Sequence, residues 1–325
     1  MSTVVSKLLQ SPEPSIRYAA RVRILGGDPD SSEISELLSE IKHSDRVNKI
    51  LSKKDASGML LPLDNPYKKW DGAHWALTLL ADLGYPKNDP DILPIIDQVC
   101  KHWLKPEFRE NDTINGRFRR HASQQGNALY SLLSLNDQSR METARLLVEL
   151  LLKWQWPDGG WNCDPNPQAD DSSFTESLIP LRALALFGRQ TGDKKVVDAC
   201  EKAAEVFLCR HIYRRRSNNR IIKSDFTVLH YPCYWHYDIL FALKVMAEMG
   251  IVADSRCDDA LDLLESKRLP DGSWPLEAKY GRTLDEKDAN RPSNSTYLDW
   301  GEVDVKSGNE WVTSDALYVL RAAGR

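Results

Sequence analysis

The 325-residue sequence predicts an all-α fold in which pairs of helices form a closed ring, an α/α toroid. Two observations lead to this fold. A glycine-centred element recurs along the chain, and helices with one apolar stripe alternate with helices that are apolar almost all round. Helices of the second kind must be buried on both sides, as the inner ring of a toroid is. The pattern predicts about six inner and about five to six outer helices.

The recurring element is most complete at residues 155–161, which read Q-W-P-D-G-G-W. A second copy ends at Trp274, weaker copies keep Gly58 and Gly116, and residues 220–222 read as a decayed copy. Each copy stands between an amphipathic helix and a helix that is apolar almost all round. Because a buried inner ring requires the first and last helix pairs to cover each other, the pattern favours a closed ring over an open solenoid.

Residues 1–325 are predicted to form a single toroid domain, since one closed array of this length can bury a large core. Residues 277–307 are polar and show no helical period, with Gly281, Pro292 and Gly301 among them. Long segments of this kind are often functional. We therefore predict a long loop or lid over the mouth of the ring.

The composition excludes several classes of protein. The chain is 42% hydrophobic and 28% charged with a formal net charge of −4, so no nucleic-acid partner is predicted. No apolar run approaches the ~18 residues of a transmembrane segment, and the first residues do not read as a secretion signal. Six cysteines are scattered without a C-x-x-C pair, which favours free thiols in the cytoplasm. The sequence does not indicate the oligomeric state.

Polar and aromatic residues begin each of the last five predicted inner helices, where the apolar body of the helix does not explain them. If the inner helices run parallel, their N-termini converge on one mouth of the ring, which we predict to be the functional site. The candidate catalytic residues are Asp238, His236, Glu176 and His74. The candidate substrate-binding residues are Asp71, Trp75, Arg120, Gln124, Asn127, Cys233, Tyr234, Trp235, Glu310 and Trp311.

Asp238 is the first choice for a general acid or base, because burial among aromatic rings raises the pKa of a carboxyl group toward a useful range. His236 lies two residues before it, so the two side chains share a helix face only if the helix begins after His236. The alternative for any one of these residues is helix capping, in which a polar side chain satisfies the free N–H groups of the first turn.

The Gln155–Trp161 element resembles the QW repeat of squalene–hopene and oxidosqualene cyclases, and related glycine-rich elements of protein prenyltransferase β-subunits. The resemblance covers roughly Lys53 to the C-terminus. It implies a toroid and an isoprenoid-active enzyme whose aromatic lumen holds a small apolar or amphipathic ligand. The chain is expected to lack the DxDD and DDxxD motifs by which terpene cyclases protonate an alkene or bind magnesium diphosphate.

No metal and no cofactor are predicted. Cys233 resembles the zinc-ligand cysteine of prenyltransferase β-subunits, but residues 309–313 contain no histidine where that family places one. Two other functions remain open. One is a carbohydrate-active α/α-ring hydrolase or lyase, in which acids with flanking aromatic rings bind sugars. The other is a non-catalytic ligand-binding ring. A polar stripe through Gln124, Asn127 and Ser131 favours a partly polar ligand.

Overall fold

The computed structural model describes residues 3–110, 113–136, 138–284, 292 and 295–325. Thirteen α-helices lie in these ranges, and the strands there are short, so the predicted all-α class is confirmed. The helices are α1 (Thr3–Leu9), α2 (Pro14–Tyr18), α3 (Ser32–Lys42), α4 (Asp45–Leu51), α5 (Ala73–Leu83), α6 (Leu93–Trp103), α7 (Ala122–Leu135), α8 (Met141–Trp154), α9 (Phe174–Thr191), α10 (Lys194–Leu208), α11 (Ile239–Glu248), α12 (Asp258–Ser266) and α13 (Glu310–Ala322). None of these helices is both long and apolar enough to cross a membrane.

Six inner helices form the ring, as predicted. They are α2, which continues as a π-helix over Ala19–Ile24, followed by α5, α7, α9, α11 and α13. From α5 onward each helix packs against the next, and α13 packs against α2 and its π-helical continuation. Arg23 at the end of that continuation donates to the backbone oxygen of Asp82 in α5, at 3.4 Å. The first and last inner helices therefore meet, and the ring is closed.

The QW elements fasten each outer helix to the next inner helix. The indole N–H of Trp161 donates to the carbonyl of Leu151 in α8, and its backbone N–H donates to the Ser177 hydroxyl in α9. Trp274 repeats this arrangement, with its indole bonded to α12 and its backbone to Thr313 in α13. Both tryptophans are at most 1% exposed. The element that identified the repeat is thus a structural clamp.

The glycine of the complete element is required by a close approach. Gly159 has a φ of 101°, and a Cβ atom there would lie 2.2 Å from the backbone oxygen of Lys202 in α10. The Gln155 amide donates to the carbonyls of Gly159 and of Ala199, which also belongs to α10. The element therefore holds two neighbouring outer helices together as well.

In the described ranges, six short strands lie outside the helical ring. They are β1 (Thr113–Ile114), β2 (Arg117–Phe118), β3 (Pro275–Leu276), β4 (Arg282–Thr283), β5 (Ser295–Thr296) and β6 (Asp304–Gly308). β1 pairs with β2 and β3 with β6, both antiparallel, while β4 pairs with β5 in parallel. The predicted loop at 277–307 contains β4, β5 and all of β6 except Gly308, and its residues 285–291, 293 and 294 lie outside the described residues. Its role as a lid, and a single domain over 1–325, stay predictions.

The lumen of the ring is charged and almost filled. Arg182 of α9 binds Asp82 at 2.9 Å and Glu248 at 2.7 Å, and Lys244 binds Asp315 at 2.8 Å. Residues 231–234 enter the lumen from the mouth, which leaves a cavity of only about 30 Å³ beside the ion pairs. The expected open, aromatic lumen for a hydrocarbon chain is therefore absent from the described part of the structure.

Candidate functional site

The N-termini of α7 and α9 lie side by side because the two helices approach very closely. A Cβ atom on Gly126 would lie 2.8 Å from the backbone nitrogen of Pro180, so only glycine fits against α9 there. Pro180 lies inside α9, where its nitrogen carries no hydrogen to obstruct the contact. The sequences before Gly126 and Pro180 are thereby brought together at the mouth of the ring.

At this junction His121 and Glu176 form a pair. The Nδ1 atom of His121 lies 3.1 Å from Oε1 of Glu176, and the backbone N–H of Ser123 donates to Oε2 at 3.0 Å. The Glu176 side chain is only 5% exposed, whereas that of His121 is 63% exposed. The first turn of α7 stabilises the carboxylate through its free N–H groups. The pair is a buried carboxylate behind a histidine that faces solvent.

Cys163 completes this group. The backbone carbonyl of Asn162, the residue before Cys163, accepts a hydrogen bond from the backbone N–H of Arg120. The loop after Trp161 therefore lies against the start of α7. Hydrogen bonds with the Cys163 thiol and the Glu176 carboxylate raise the pKa of His121 to about 10. The imidazole is therefore protonated at neutral pH. A ring nitrogen of His121, the sulfur of Cys163 and a carboxylate oxygen of Glu176 all lie within 4.8 Å of one another.

A histidine, a cysteine and a carboxylate are common ligands of transition-metal ions. Within the described ranges, His121, Cys163 and Glu176 are the one group of three such side chains close enough to share an ion. The predicted absence of a metal was argued from Cys233, which belongs to a different part of the mouth.

Tyr67 and Gln124 lie next to this group. Their side chains are hydrogen-bonded, and the Glu176 carboxylate is near enough to interact with the tyrosine hydroxyl. Burial is the main reason that the pKa of Tyr67 rises to about 12. The hydroxyl therefore stays protonated and can donate or accept a hydrogen bond beside the carboxylate.

Asp238 is placed as a helix cap. It is fully buried; its Oδ1 accepts from the N–H of Phe241 and its Oδ2 from the N–H of His230, both at 2.8 Å. The Cys233 thiol also donates to Oδ2, at 3.6 Å. Both carboxylate oxygens thus hold the segment before α11 in place. The catalytic role of Asp238 stays a prediction, and this geometry is that of the capping alternative.

His236 lies before α11, in a stack of rings. Its ring centroid is 3.5 Å from that of Tyr280 and 4.1 Å from that of Trp235. Burial lowers the pKa of His236 to about 4, so the imidazole is neutral at pH 7. Its catalytic role also stays a prediction.

His74 and its neighbours are core residues of α5. The Nδ1 atom of His74 accepts from the indole of Trp103 at 3.0 Å, and burial lowers the pKa of His74 to about 3. Trp75 is fully buried and donates to the carbonyl of Tyr67. Asp71 is buried and lies 3.6 Å from the Lys53 ammonium.

The other candidate binding residues fall into separate groups around the mouth. Arg120 donates to the Glu110 carbonyl near the His121 group. Asn127 and Cys233 line the small lumen cavity. Three of the remaining residues stack on other rings: Tyr234 on Trp70 with ring centroids 4.0 Å apart, Trp235 on His236, and Trp311 on Tyr231 with ring centroids 5.3 Å apart. The Glu310 carboxylate accepts a hydrogen bond from the Ser11 hydroxyl at 2.7 Å. Among the predicted catalytic residues, Glu176 is the one paired with a solvent-exposed side chain, that of His121.

Sequence reasoning missed His121, Cys163 and Tyr67 as members of a site. His121 immediately precedes α7, among the helix-opening residues, and this position was a usable signal. Cys163 follows the QW tryptophan by two residues, in a loop rather than at an apolar helix position, which also sets it apart from core cysteines.

A DDxxD spacing does occur, as D-D-A-L-D at residues 258–262. It lies on the outer helix α12, where Asp258 and Asp262 are bound by Arg325. It is therefore not part of the mouth, and the expectation that the chain lacks a DDxxD motif is wrong.

Comparison with known proteins places the fold. No family model matches the chain, and no curated protein matches it. Among solved structures, a polysaccharide lyase matches 98% of this chain and 94% of its own at a TM-score of 0.51 and 11% identity. A glycosyl hydrolase family 88 protein from Bacteroides vulgatus matches 98% of this chain and 96% of its own at a TM-score of 0.51 and 9% identity.

The isoprenoid interpretation is therefore wrong. These two solved structures are a polysaccharide lyase and a glycosyl hydrolase, and neither is a terpene cyclase or a prenyltransferase. The physical reason is that the QW element closes helix pairs and carries no chemistry of its own, while the lumen is charged and filled. The chain has an α/α-toroid fold similar to those two structures.

Proposed function

We propose that this chain cleaves a glycosidic bond, as a hydrolase or a lyase, at the His121–Glu176 pair. The observation that carries the proposal is the pair itself, a buried carboxylate 3.1 Å from a histidine that faces solvent. The likeness in fold to a polysaccharide lyase and to a glycosyl hydrolase supports a carbohydrate substrate by analogy.

Hydrolysis and β-elimination have one requirement in common. In both reactions the bond to the glycosidic oxygen breaks, and that oxygen must receive a proton as it leaves. His121 is the donor in this proposal, since its imidazolium is exposed at the mouth. Glu176 orients the ring and stabilises its charge, and Tyr67 and Gln124 offer hydrogen bonds to sugar hydroxyl groups.

The sugar binds outside the lumen in this proposal. The cavity of about 30 Å³ inside the ring is smaller than any sugar and is lined by ion pairs. The mouth offers aromatic faces instead, among them the partly exposed Trp235 and Tyr280. An apolar ring face next to polar donors suits a sugar, which has both kinds of surface.

The test is a screen of neutral and uronate-containing polysaccharides with two readouts. New reducing ends report cleavage by either reaction, and ultraviolet absorbance of an unsaturated uronate reports elimination alone. On the best substrate, we expect Glu176→Gln and His121→Asn each to reduce turnover at least about 10²-fold, because general acid–base catalysis usually contributes a factor of this size.

A second histidine–carboxylate pair provides the matched control. His211 and Asp259 lie 3.9 Å apart on the outer side of the ring. We expect His211→Asn and Asp259→Asn to retain wild-type turnover. Cleavage of no polysaccharide in the screen, or equal turnover in all four variants, would refute the proposal.

A further inference from the structure

We propose that His121, Cys163 and Glu176 form a binding site for a divalent transition-metal ion such as Zn²⁺, which inhibits the enzyme when bound. The chemistry of the ligands suits such an ion. A neutral imidazole, a thiolate and a carboxylate are the nitrogen, sulfur and oxygen donors that zinc takes in proteins. The two anionic ligands offset the charge of the ion, so its burial beside Glu176 leaves no net charge at the site.

The spacing of the ligand atoms also suits the ion. Zinc bonds of about 2.0–2.3 Å at tetrahedral angles separate two ligand atoms by roughly 3.3–3.8 Å. The three atoms here all lie within 4.8 Å of one another, and the His121 and Glu176 atoms are 3.1 Å apart. Small side-chain rotations therefore suffice to bring all three onto one ion.

The backbone around the group is already fixed, which lowers the cost of ordering the ligands. The N–H of Ser123 holds one oxygen of Glu176. The loop that carries Cys163 is tied at its start by the bond from Arg120 to Asn162, and its two ends are joined by the bond from Ser173 to Trp161. Such outer contacts orient metal ligands and strengthen binding.

The fourth coordination position faces solvent, because His121 is 63% exposed. A three-ligand site with an open position is typical of exchangeable or reactive zinc rather than of closed structural sites. Metal ions bind histidine and cysteine in their deprotonated forms, so affinity rises with pH. The bound ion occupies the side chains of the His121–Glu176 pair, and this inhibitory consequence rests on the proposed function.

The experiment uses the full-length protein, first treated with a chelator and then titrated with Zn²⁺ at pH 8. We expect one equivalent to bind, with proton release, and Cys163→Ser to weaken binding at least about 100-fold, since even the loss of an outer contact costs 10–100-fold. With Co²⁺ instead, we expect the near-ultraviolet band of a cobalt–thiolate bond in the wild type and no such band in Cys163→Ser. Cys209→Ser is the matched control, a half-buried cysteine outside the group, and should bind like the wild type.

Binding and turnover separate the two proposals. If no stoichiometric ion binds, or if Cys163→Ser binds as tightly as the wild type, the metal site is refuted whatever the activity. If an ion binds at the site but the chelated protein cleaves no polysaccharide, the glycosidase or lyase proposal fails and the binding site stands. If the bound ion leaves polysaccharide cleavage unchanged, the inhibitory role is refuted.

Discussion

The Nδ1 atom of His121 lies 3.1 Å from Oε1 of Glu176, although 55 positions separate the two residues in the chain. They stand at the starts of two neighbouring inner helices, α7 and α9, which meet closely at Gly126 and Pro180. One end of the pair is buried and the other faces solvent. The pair is therefore both anchored by the ring and accessible from its mouth.

The first prediction concerns the titration of His121. Its pKa is raised to about 10 by Cys163 and Glu176, so the stability it contributes is fully present below the unfolded pKa of about 6.5 and is lost as pH rises through about 10. We expect the His121 ring resonances in an NMR titration to change near pH 10. In Glu176→Gln the midpoint should fall toward 6.5. A wild-type midpoint near 6.5 would contradict the pairing.

The second prediction concerns the QW clamp. Trp161→Ala removes a fully buried ring and the indole hydrogen bond to Leu151 of α8, while the backbone bond to Ser177 of α9 is retained. We expect a loss of about 3–5 kcal/mol in the free energy of unfolding, the usual cost for a buried tryptophan. Urea denaturation measures it, with Leu146→Ala on the exposed side of α8 as control. Unchanged stability of Trp161→Ala would show that the element does not fasten the ring.

The third prediction concerns Asp238, whose two oxygens accept backbone N–H groups of Phe241 and His230. In Asp238→Asn one carboxylate oxygen is replaced by an NH₂ group, which cannot accept a hydrogen bond. One of these two backbone N–H groups therefore loses its acceptor. We expect the free energy of unfolding to fall by about 1–3 kcal/mol, with polysaccharide turnover close to that of the wild type. Loss of turnover at least about 10²-fold with unchanged melting would instead support Asp238 as the proton donor.

The fourth prediction concerns the ion pairs of the lumen. Burial by itself raises the pKa of Asp82 and of Glu248, but the attraction of Arg182 and other cations outweighs it, and the pKa of each carboxyl is lowered. Their contribution to stability is present above the unfolded pKa of about 4 and is lost as pH falls below it. Acid unfolding followed by circular dichroism should therefore begin below about pH 4.

The same network is tested by Arg182→Met, which leaves the partly buried carboxylates of Asp82 and Glu248 without their shared partner. We expect a cost of about 3–5 kcal/mol in the free energy of unfolding. Arg17→Met, which breaks a partly exposed pair with Glu40, should cost about 0–1 kcal/mol. Similar costs for the two substitutions would mean that the lumen is hydrated rather than dry.

The fold could be predicted from sequence because its determinants are local. Helical periodicity reports which faces are buried, and the offset from Gln155 to Trp161 reports the turn that joins two helices. The π-helical continuation Ala19–Ile24 was not predicted, since it depends on contacts with α13. Nor was the filling of the lumen, because residues 231–234 are held there by tertiary stacking such as that of Tyr234 on Trp70.

The site could be predicted only in part. Convergence of the helix N-termini follows from the topology of a ring, and Glu176 was found in this way. Its pairing with His121 depends on the close contact at Gly126, which joins residues far apart in the chain. The substrate class was predicted wrongly because the QW element reflects how helix pairs close, and this requirement is independent of the ligand.

The most direct test of the central claim compares two leaving groups on His121→Asn. A natural sugar leaving group needs a proton, whereas a nitrophenyl group leaves readily without one. We expect His121→Asn to lower turnover at least about 10²-fold on the natural glycosidic bond. The loss should be only slight when nitrophenol replaces the leaving sugar, at C1 of the sugar for hydrolysis or at C4 of the uronate for elimination. An equal loss on both substrates would show that His121 does not donate the proton, and would contradict the proposed mechanism.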